Sequence, residues 1–462
     1  MGKKLPVAIG RMYDVSICDL SHDGLGIARI EGFLVFVKDA LPGERVVARI
    51  TNVKKNYGHA DAIDKINRAA ARITPLCSVF EECGGCQIQH LDYPSQLEFK
   101  KNIVIRNMQK FAKIENPPVL DVIGPNDPWR YRNKTQVPFG INANGEIVAG
   151  FYKSRSHEII DLSCCHVQTR VADEIIAAVK KCACEFGLPP YNESQNEGVL
   201  RHVVIRIGFK TDQIMVIFVT KTPYLPHKKL LCQHLTSQFP NIKSIAHNVN
   251  PHVTNVIFGD ETNTICGEDY IADSLDGLDF LISPRSFYQV NPVQAEVMYK
   301  LVVDYANINA DDIVFDAYCG IGTITLFLAR TGAMVYGVEI VPDAISDARK
   351  NARINGFDNV NSEIGASEVV IGRLISEGIK PDVIVVDPPR KGCAIALLEA
   401  IVGAKPERVV YVSCDCATLA RDVKILEEGG YKLRIVQPID MFPQTSHVET
   451  VSVLTVDEDR NF

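Results

Sequence analysis

At 462 residues, 46% hydrophobic and 23% charged, the chain can build roughly two to four packed domains, and no apolar run approaches the roughly 18 residues a membrane span needs. The formal net charge of −7 excludes a surface coated in basic residues. The start, Met1 to Pro6, has neither an apolar signal core nor a myristoylation site, so the fourteen cysteines read as metal-binding, catalytic or buried thiols rather than disulfides. A cytoplasmic, monomeric protein with no membrane partner is expected.

Residues 6–66 hold short β-rich runs, such as Phe33 to Val37 and Arg45 to Ile50, broken by turns at Asp23-Gly24 and Pro42-Gly43, which predicts a small barrel. Cys77, Cys83 and Cys86 follow, spaced C-x5-C-x2-C around Gly84-Gly85. A helix is expected over 95–113, started by Tyr93-Pro94-Ser95. Residues 119–275 alternate strand-like runs with helical patterns at 170–186 and 226–238, an α+β segment. From about 296, strands at 313–316, 334–339, 383–387, 408–412 and 431–436 alternate with helices, which indicates a doubly wound parallel sheet.

Charge is uneven. Residues 100–157 carry ten Lys/Arg against four Asp/Glu, so this stretch is +6 and the remainder −13. Trp129, Tyr131 and Tyr152 lie among Arg130, Arg132, Lys134, Lys153 and Arg155, a composition that suits phosphate contact and stacking on unpaired bases, or a solvated surface over core aromatics. Phosphate contact by Arg132 and Lys134 is expected.

The run Val314 to Thr323 passes from a strand through Gly320-Ile321-Gly322 into a helix, and Glu339 ends the next strand about 20 residues on. Glycines let the backbone approach a ligand, and the acid can bind both ribose hydroxyls. The third glycine of the dinucleotide fingerprint is missing and Asp316 stands beside the turn, which favours a nucleoside with a cationic tail, S-adenosylmethionine, over NAD. Asp387-Pro388-Pro389 ends the following strand, as in methyltransferases acting on nitrogen or carbon.

Cys414 ends the strand after that. Carbon 5 of uracil is too poor a nucleophile to take a methyl group unaided, and a thiolate on carbon 6 activates it. Nitrogen methylation needs no thiol, and a buried structural cysteine is the plain alternative. Cys414 and Cys416, two apart, cannot both serve on an extended segment.

The chain resembles the bacterial RNA uracil-5-methyltransferase family (the RumA/TrmA-like group), in particular its 23S ribosomal RNA branch. The resemblance runs nearly full length, through Trp129 to Lys134, Phe287 to Asn291, Asp316 to Thr323, Asp387 to Gly392, Ser413 to Asp422 and His447 to Thr450. It implies an α/β fold in three parts: a TRAM-like OB barrel over 1–68, a central α+β RNA-binding domain with a four-cysteine cluster over 69–275, and a Rossmann-like methyltransferase domain over 276–462. Packing of the 95–113 helix on the last of these is part of the expectation. The resemblance makes Cys414 the nucleophile and Glu449 the base, with Gln289, Tyr318, Glu339 and Asp387 on the cofactor. The family often has Asn-Pro after the nucleophile, whereas Asp415-Cys416 stands here, and an acid beside a thiol raises its pKa unless it faces away.

By spacing alone the cysteine cluster is open between iron–sulfur, zinc and no metal, with Cys164 or Cys165 as the remote fourth ligand. The resemblance implies a [4Fe-4S] cluster on Cys77, Cys83, Cys86 and Cys165, stapling the RNA-binding region. Other readings are a base-amine methylase, a cytosine-C5 enzyme, the same chemistry on transfer RNA, and a non-enzymatic RNA-binding factor.

Overall fold

Alternate side chains of the short strands in the first sixty residues turn inward: Val35 and Val37, then Val46, Ala48 and Ile50, all lie in one core with Val15 and Ala28. The computed structural model describes residues 5–457, so Met1 to Lys4 lie outside the described residues. The strands β1 (Met12–Ser16), β2 (Asp19–Leu20), β3 (Gly26–Ile30), β4 (Phe33–Lys38), β5 (Arg45–Val53) and β6 (Tyr57–Lys65) form one sheet in the order β1-β5-β6-β4-β3-β2.

Helix α1 (Tyr93–Asn107) begins where the Asp92 carboxylate accepts from the Ser95 amide at 2.8 Å, and runs into a π turn over Met108–Ala112 before Lys113 turns left-handed. Its Phe99, Ile103, Val104 and Met108 are buried in one cluster with Leu419, Val423 and Tyr431 from the far end of the chain. At roughly 1.5–3 kcal/mol for each large apolar side chain fully buried, that contact holds the helix to the C-terminal sheet. The chain then adds bridges from Val119 to Val436 and from Ile123 to Ile439 along that sheet's edge.

The central sheet comprises β7 (Lys134–Ile141), β8 (Ile147–Tyr152), β9 (Ile159–Asp161), β10 (Leu200–Ile207), β11 (Ile214–Thr220), β12 (Ile242–Val249) and β13 (Glu261–Gly267), in the order β13-β12-β11-β10-β7-β8-β9. Its strands are apolar on both sides because both faces are covered. Val203, Ile205, Val216 and Phe218 meet Ile175 and Val179 of α2 (Arg170–Glu185), with α3 (Lys228–Gln238) beside it. Val204, Met215 and Ile217 join the core of the C-terminal unit. A hairpin, β14 (Ile271–Leu275) and β15 (Leu278–Ile282), leads to that unit.

There, α4 (Pro292–Ala306), β16 (Ile313–Ala317), α5 (Thr323–Ala329), β17 (Met334–Glu339), α6 (Pro342–Ile354), β18 (Val360–Ile364), α7 (Ser367–Ser376), β19 (Val383–Val386), α8 (Ile395–Ala404), β20 (Arg408–Ser413), α9 (Cys416–Glu428), β21 (Tyr431–Ile439) and β22 (Glu449–Val456) succeed one another. The sheet order is β18-β17-β16-β19-β20-β22-β21, parallel except for the antiparallel β22. This mixed α/β architecture is the expected one.

Several cations of the basic stretch are paired with carboxylates. Lys100 is buried against Asp440 at 2.5 Å, Lys101 pairs with Asp121 at 2.6 Å, Arg130 with Asp173 at 3.0 Å, and Arg106 with Asp19. Residues adjacent in sequence leave helix, loop and strand in different directions, so their charges are spent on separate partners. No helix among the described residues is long and apolar enough to cross a membrane.

Candidate functional site

Ligands of open α/β sheets sit beyond the carboxyl ends of the strands. Here Asp316 on β16, Glu339 closing β17, Asp387 just past β19 and Cys414 just past β20 all lie at that edge of adjacent strands. The antiparallel β22 starts at the same edge: Ser413 pairs with Thr450, and Glu449 opens the strand facing Ile439. The register thus brings the buried Glu449 alongside Cys414.

The turn after β16 is built to receive a ligand. Tyr318, Gly320 and Gly322 all have positive φ, at 67°, 57° and 84°. For a tyrosine this is a strained conformation, of the kind that persists at binding sites. The Glu339 carboxylate accepts from the Gly320 amide at 3.3 Å and the Val341 amide at 2.9 Å, which fixes it under the turn. Asp316 is fully buried. One of its oxygens accepts from the Thr325 hydroxyl at 2.5 Å, and the other has no partner among the described residues. Burial pushes its carboxyl up to about 7, with Asp387 and Glu339 adding to the rise. An orphaned acid oxygen among three carboxylates fits the cationic tail of a sulfonium nucleoside better than a pyrophosphate. The backbone carbonyl of Gln289 is anchored by the Asn133 side chain at 2.9 Å, which ties this loop to the entry of β7.

Cys414 is half-buried and Cys416 is packed into the core with Leu419 and Leu426. Burial pushes the Cys414 thiol up to about 12, reinforced by Glu449 and Asp387 and opposed by Arg390. Burial likewise lifts Glu449 to about 8, again raised by Asp387 and opposed by Arg390. Asp387 rises to about 7 by desolvation. Asp415 does not act on the thiol. Its carboxylate caps α9, accepting from the Ala417 and Thr418 amides at 3.0 Å each, so the added acid is turned away from Cys414. Arg390 was not among the residues expected at the site, although it directly follows Asp387-Pro388-Pro389.

Cys77, Cys83, Cys86, Cys164 and Cys165 line one cavity of about 220 Å³. Burial pushes Cys86 up to about 12, and Cys165, Cys83 and Cys77 are near enough to add to the rise. The Cys164 sulfur instead accepts from Arg130 at 3.2 Å and is exposed. Among the described residues no group of three or more His, Cys, Asp or Glu is set so that it could hold a metal ion.

Arg132 and Lys134 line this same cavity, and burial lowers the Lys134 ammonium to about 7, helped by Arg206 and Arg132. Lys134 is half-buried and lines this cavity beside Arg132, on the opposite side of the strand from the core residues Val137 and Phe139. Tyr131 is buried with its hydroxyl on the Pro443 carbonyl at 3.1 Å, a core residue rather than a stacking platform.

Residues 167–456 match the family described as tRNA (Uracil-5-)-methyltransferase, and residues 6–63 match the TRAM domain. An uncharacterized RNA methyltransferase of Halalkalibacterium halodurans is 50% identical over 98% of both chains. Another, from Clostridium acetobutylicum, is 47% identical over 98% of this chain and 99% of that one. Among solved structures, the Pyrococcus abyssi tRNA (uracil-54, C5)-methyltransferase in complex with S-adenosyl-L-homocysteine matches with TM-score 0.77 and 29% identity, covering 96% of this chain and 100% of that one. The chain belongs to the tRNA (uracil-5-)-methyltransferase family of S-adenosylmethionine-dependent RNA methyltransferases and carries an N-terminal TRAM domain.

Proposed function

We propose that the protein methylates carbon 5 of a uridine in 23S ribosomal RNA through a covalent adduct, with Cys414 as nucleophile and Glu449 as the base. The observation that carries this reading is the β20–β22 register, which sets a thiol and a buried carboxylate side by side at the ligand-binding edge of the sheet. The half-exposed Cys414 releases its proton to solvent, and its sulfur adds an electron pair to carbon 6. A carbon–sulfur bond forms, and the displaced π pair moves onto the carbon 4 carbonyl as an enolate, whose carbon 5 takes the methyl group. Bound S-adenosylmethionine supplies that methyl as an electrophile and keeps the electron pair of the broken bond. Glu449 then takes the carbon 5 proton, the freed pair restores the ring double bond, and the Cys414 sulfur leaves as thiolate. Glu339 suits the ribose hydroxyls, Asp387 the edge of the site, and Gln289 and Tyr318 the walls of the cofactor pocket.

The same reading divides the chain at 68 and 275 and assigns Cys77, Cys83, Cys86 and Cys165 to a [4Fe-4S] cluster. It is supported by their common cavity and by the diversion of Cys164 to Arg130. One zinc would need all four sulfurs about 2.3 Å from a single point, whereas four irons spread their ligands. The cluster lies outside the reaction.

Transfer RNA is the second reading, because the matched Pyrococcus enzyme acts on it. RNA carrying 5-fluorouridine tests the chemistry, since fluorine at carbon 5 blocks elimination. The wild-type protein should form an adduct stable to denaturation, and Cys414→Ala should form none. An adduct with Cys414→Ala would move the nucleophile elsewhere. Nucleoside mapping of ribosomal and transfer RNA from cells with and without the gene separates the two substrates.

A further inference from the structure

A cavity of about 990 Å³ opens in the central unit, away from Cys414 and from the cysteines. Its walls are the β7–β8 hairpin, the loop of Pro190 to Ser194, and the Thr254 to Ile257 segment. Tyr152 and Tyr191 each present a ring to it. The Tyr152 ring lies 5.6 Å from that of His157, and the Arg201 guanidinium sits 4.5 Å over Tyr191. Arg201 is held rigidly there, donating to the carbonyls of Asn250 at 2.9 Å, His252 at 2.5 Å and Thr254 at 3.2 Å. Of the residues lining the cavity, Arg201 and His202 each hold one buried polar atom, Nε and Nδ1, with no partner among the described residues. Buried polar atoms are normally paired, so two such atoms on residues that line one cavity mark a site with unspent hydrogen bonding.

The strand register connects this cavity to the active site. Arg206 pairs with Lys134, Val204 with Gln136, and His202 with Pro138, so alternate β7 residues share the sheet face that Val204 turns toward the methyltransferase core. Along that face, Lys134 and Gln136 line the cysteine cavity, and Gly140 and His202 line the larger one. At its other end β7 is tied through Asn133 to the backbone of Gln289 and Val290. The run from Asn133 to Gly140 spans roughly 23 Å at about 3.3 Å per residue, the reach of a few nucleotides of extended chain.

From this geometry we infer that the cavity holds an unpaired base of the substrate RNA, flanking the target uridine and stacked against Tyr152 and Tyr191. The inference rests on the RNA uridine reading above. The lining holds two carboxylates, Glu158 and Glu193, against the one guanidinium of Arg201, so it offers no surplus of positive charge to draw a phosphate in; Glu193 meets His157 at 2.7 Å and Glu158 meets Lys153 at 3.9 Å. A neutral, planar, polar-edged group meets rings on its faces and hydrogen-bonding groups at its rim, while its phosphate stays outside. Taking a neighbouring base out of the RNA stack would help hold open the loop from which the target uridine must be swung out.

The test uses the full-length protein and a short fluorescein-labelled oligouridine, with binding followed by anisotropy. The double variant Tyr152→Ala/Tyr191→Ala should bind about 5- to 150-fold more weakly, the equivalent of about 1–3 kcal/mol for one stacked base at 1.4 kcal/mol per tenfold. Tyr152→Phe/Tyr191→Phe should bind like the wild type, because rings rather than hydroxyls carry the contact. S-adenosylhomocysteine affinity should not change in either. A 4-thiouridine oligonucleotide should crosslink by ultraviolet light to the 190–201 segment of the wild type. Unchanged oligouridine affinity in the alanine variant, or no crosslink there, overturns the proposal, as it would if the cavity served a protein partner. Failure of the uridine reading shows separately, as absence of a Cys414 adduct on 5-fluorouridine RNA in a protein whose oligouridine binding still depends on the two tyrosines.

Discussion

Ser413 and Thr450 face each other across the β20–β22 ladder, with the Thr450 hydroxyl donating to the Ser413 carbonyl at 3.4 Å. Because the pairing is antiparallel, the residue after one and the residue before the other lie at the same end. That one register brings Cys414 and Glu449 together, and a slip of one residue would turn Glu449 to the opposite face of the sheet.

Glu449→Gln should separate the two halves of the reaction. Addition and methyl transfer proceed, elimination stalls, and turnover falls about 100-fold or more while a protein–RNA adduct accumulates on a denaturing gel. Normal turnover by this variant would remove Glu449 from the mechanism.

The raised pKa of Glu449 also has a thermodynamic sign. The folded value of about 8 exceeds that of an exposed glutamate, so between the two the folded state holds more protons than the unfolded one. This group's contribution to stability is complete below the unfolded value and is lost as pH rises through about 8. Glu449→Gln should therefore stabilise the protein at pH 9, on the order of a few kcal/mol at about 1.36 kcal/mol for each tenfold difference in proton affinity between the folded and unfolded chain. It should change little at pH 4. Melting temperatures at the two pH values check this, and the wild-type elimination rate should rise with pH up to about 8, as Glu449 ionises.

The two neighbouring cysteines should behave oppositely. Cys414→Ala should abolish methylation with its melting temperature nearly unchanged. Cys416→Ala should keep methylation and lose about 1 kcal/mol from a small cavity beside Leu419. Denaturant unfolding and a methyl-transfer assay on both variants distinguish them.

For the cysteine cavity, anaerobically purified protein should contain about four irons per chain and absorb broadly near 400 nm. Cys165→Ser should lose the iron and Cys164→Ser should keep it, since the Cys164 sulfur is engaged by Arg130. Stoichiometric zinc in the anaerobic preparation would reverse the assignment.

Lys100 and Asp440 form an ion pair with both side chains fully buried, supplemented by Lys100 on the Phe442 carbonyl at 3.0 Å and Tyr93 on Asp440 at 2.9 Å. Lys100→Met leaves a buried unpaired carboxylate and should cost about 3–5 kcal/mol, while adding Asp440→Leu should recover part of it. Turnover should fall too, because the segment from Asp440 leads directly to Glu449.

Strands β16, β19 and β20 were legible because each is a short, mostly buried apolar run between turn signals. The edge strand β18 was not read, since Val360-Asn361-Ser362-Glu363-Ile364 is apolar only at its ends and half solvated. At the site, the types and order of Asp316, Glu339, Asp387 and Cys414 were visible in sequence. The orientation of Asp415 was not, because capping is decided by backbone angles at the helix start. The pairing of Lys100 with Asp440 joins residues more than three hundred positions apart and left no local pattern. The ion pairs of the basic stretch, such as Lys101 with Asp121 and Arg130 with Asp173, were hidden for the same reason: charge counted along the chain does not show which carboxylates fold back onto it.

The seating of α1 against α9 also bears on how the protein is made. Some three hundred residues separate the two helices, so a ribosome adding about 5–20 residues per second needs roughly 15–60 s to deliver the second after the first. For that interval Phe99, Ile103, Val104 and Met108 have no α9 to cover them. The nascent chain must carry a helix with an uncovered apolar face until α9 has been made, which makes the emerging α1 region a natural client for chaperones.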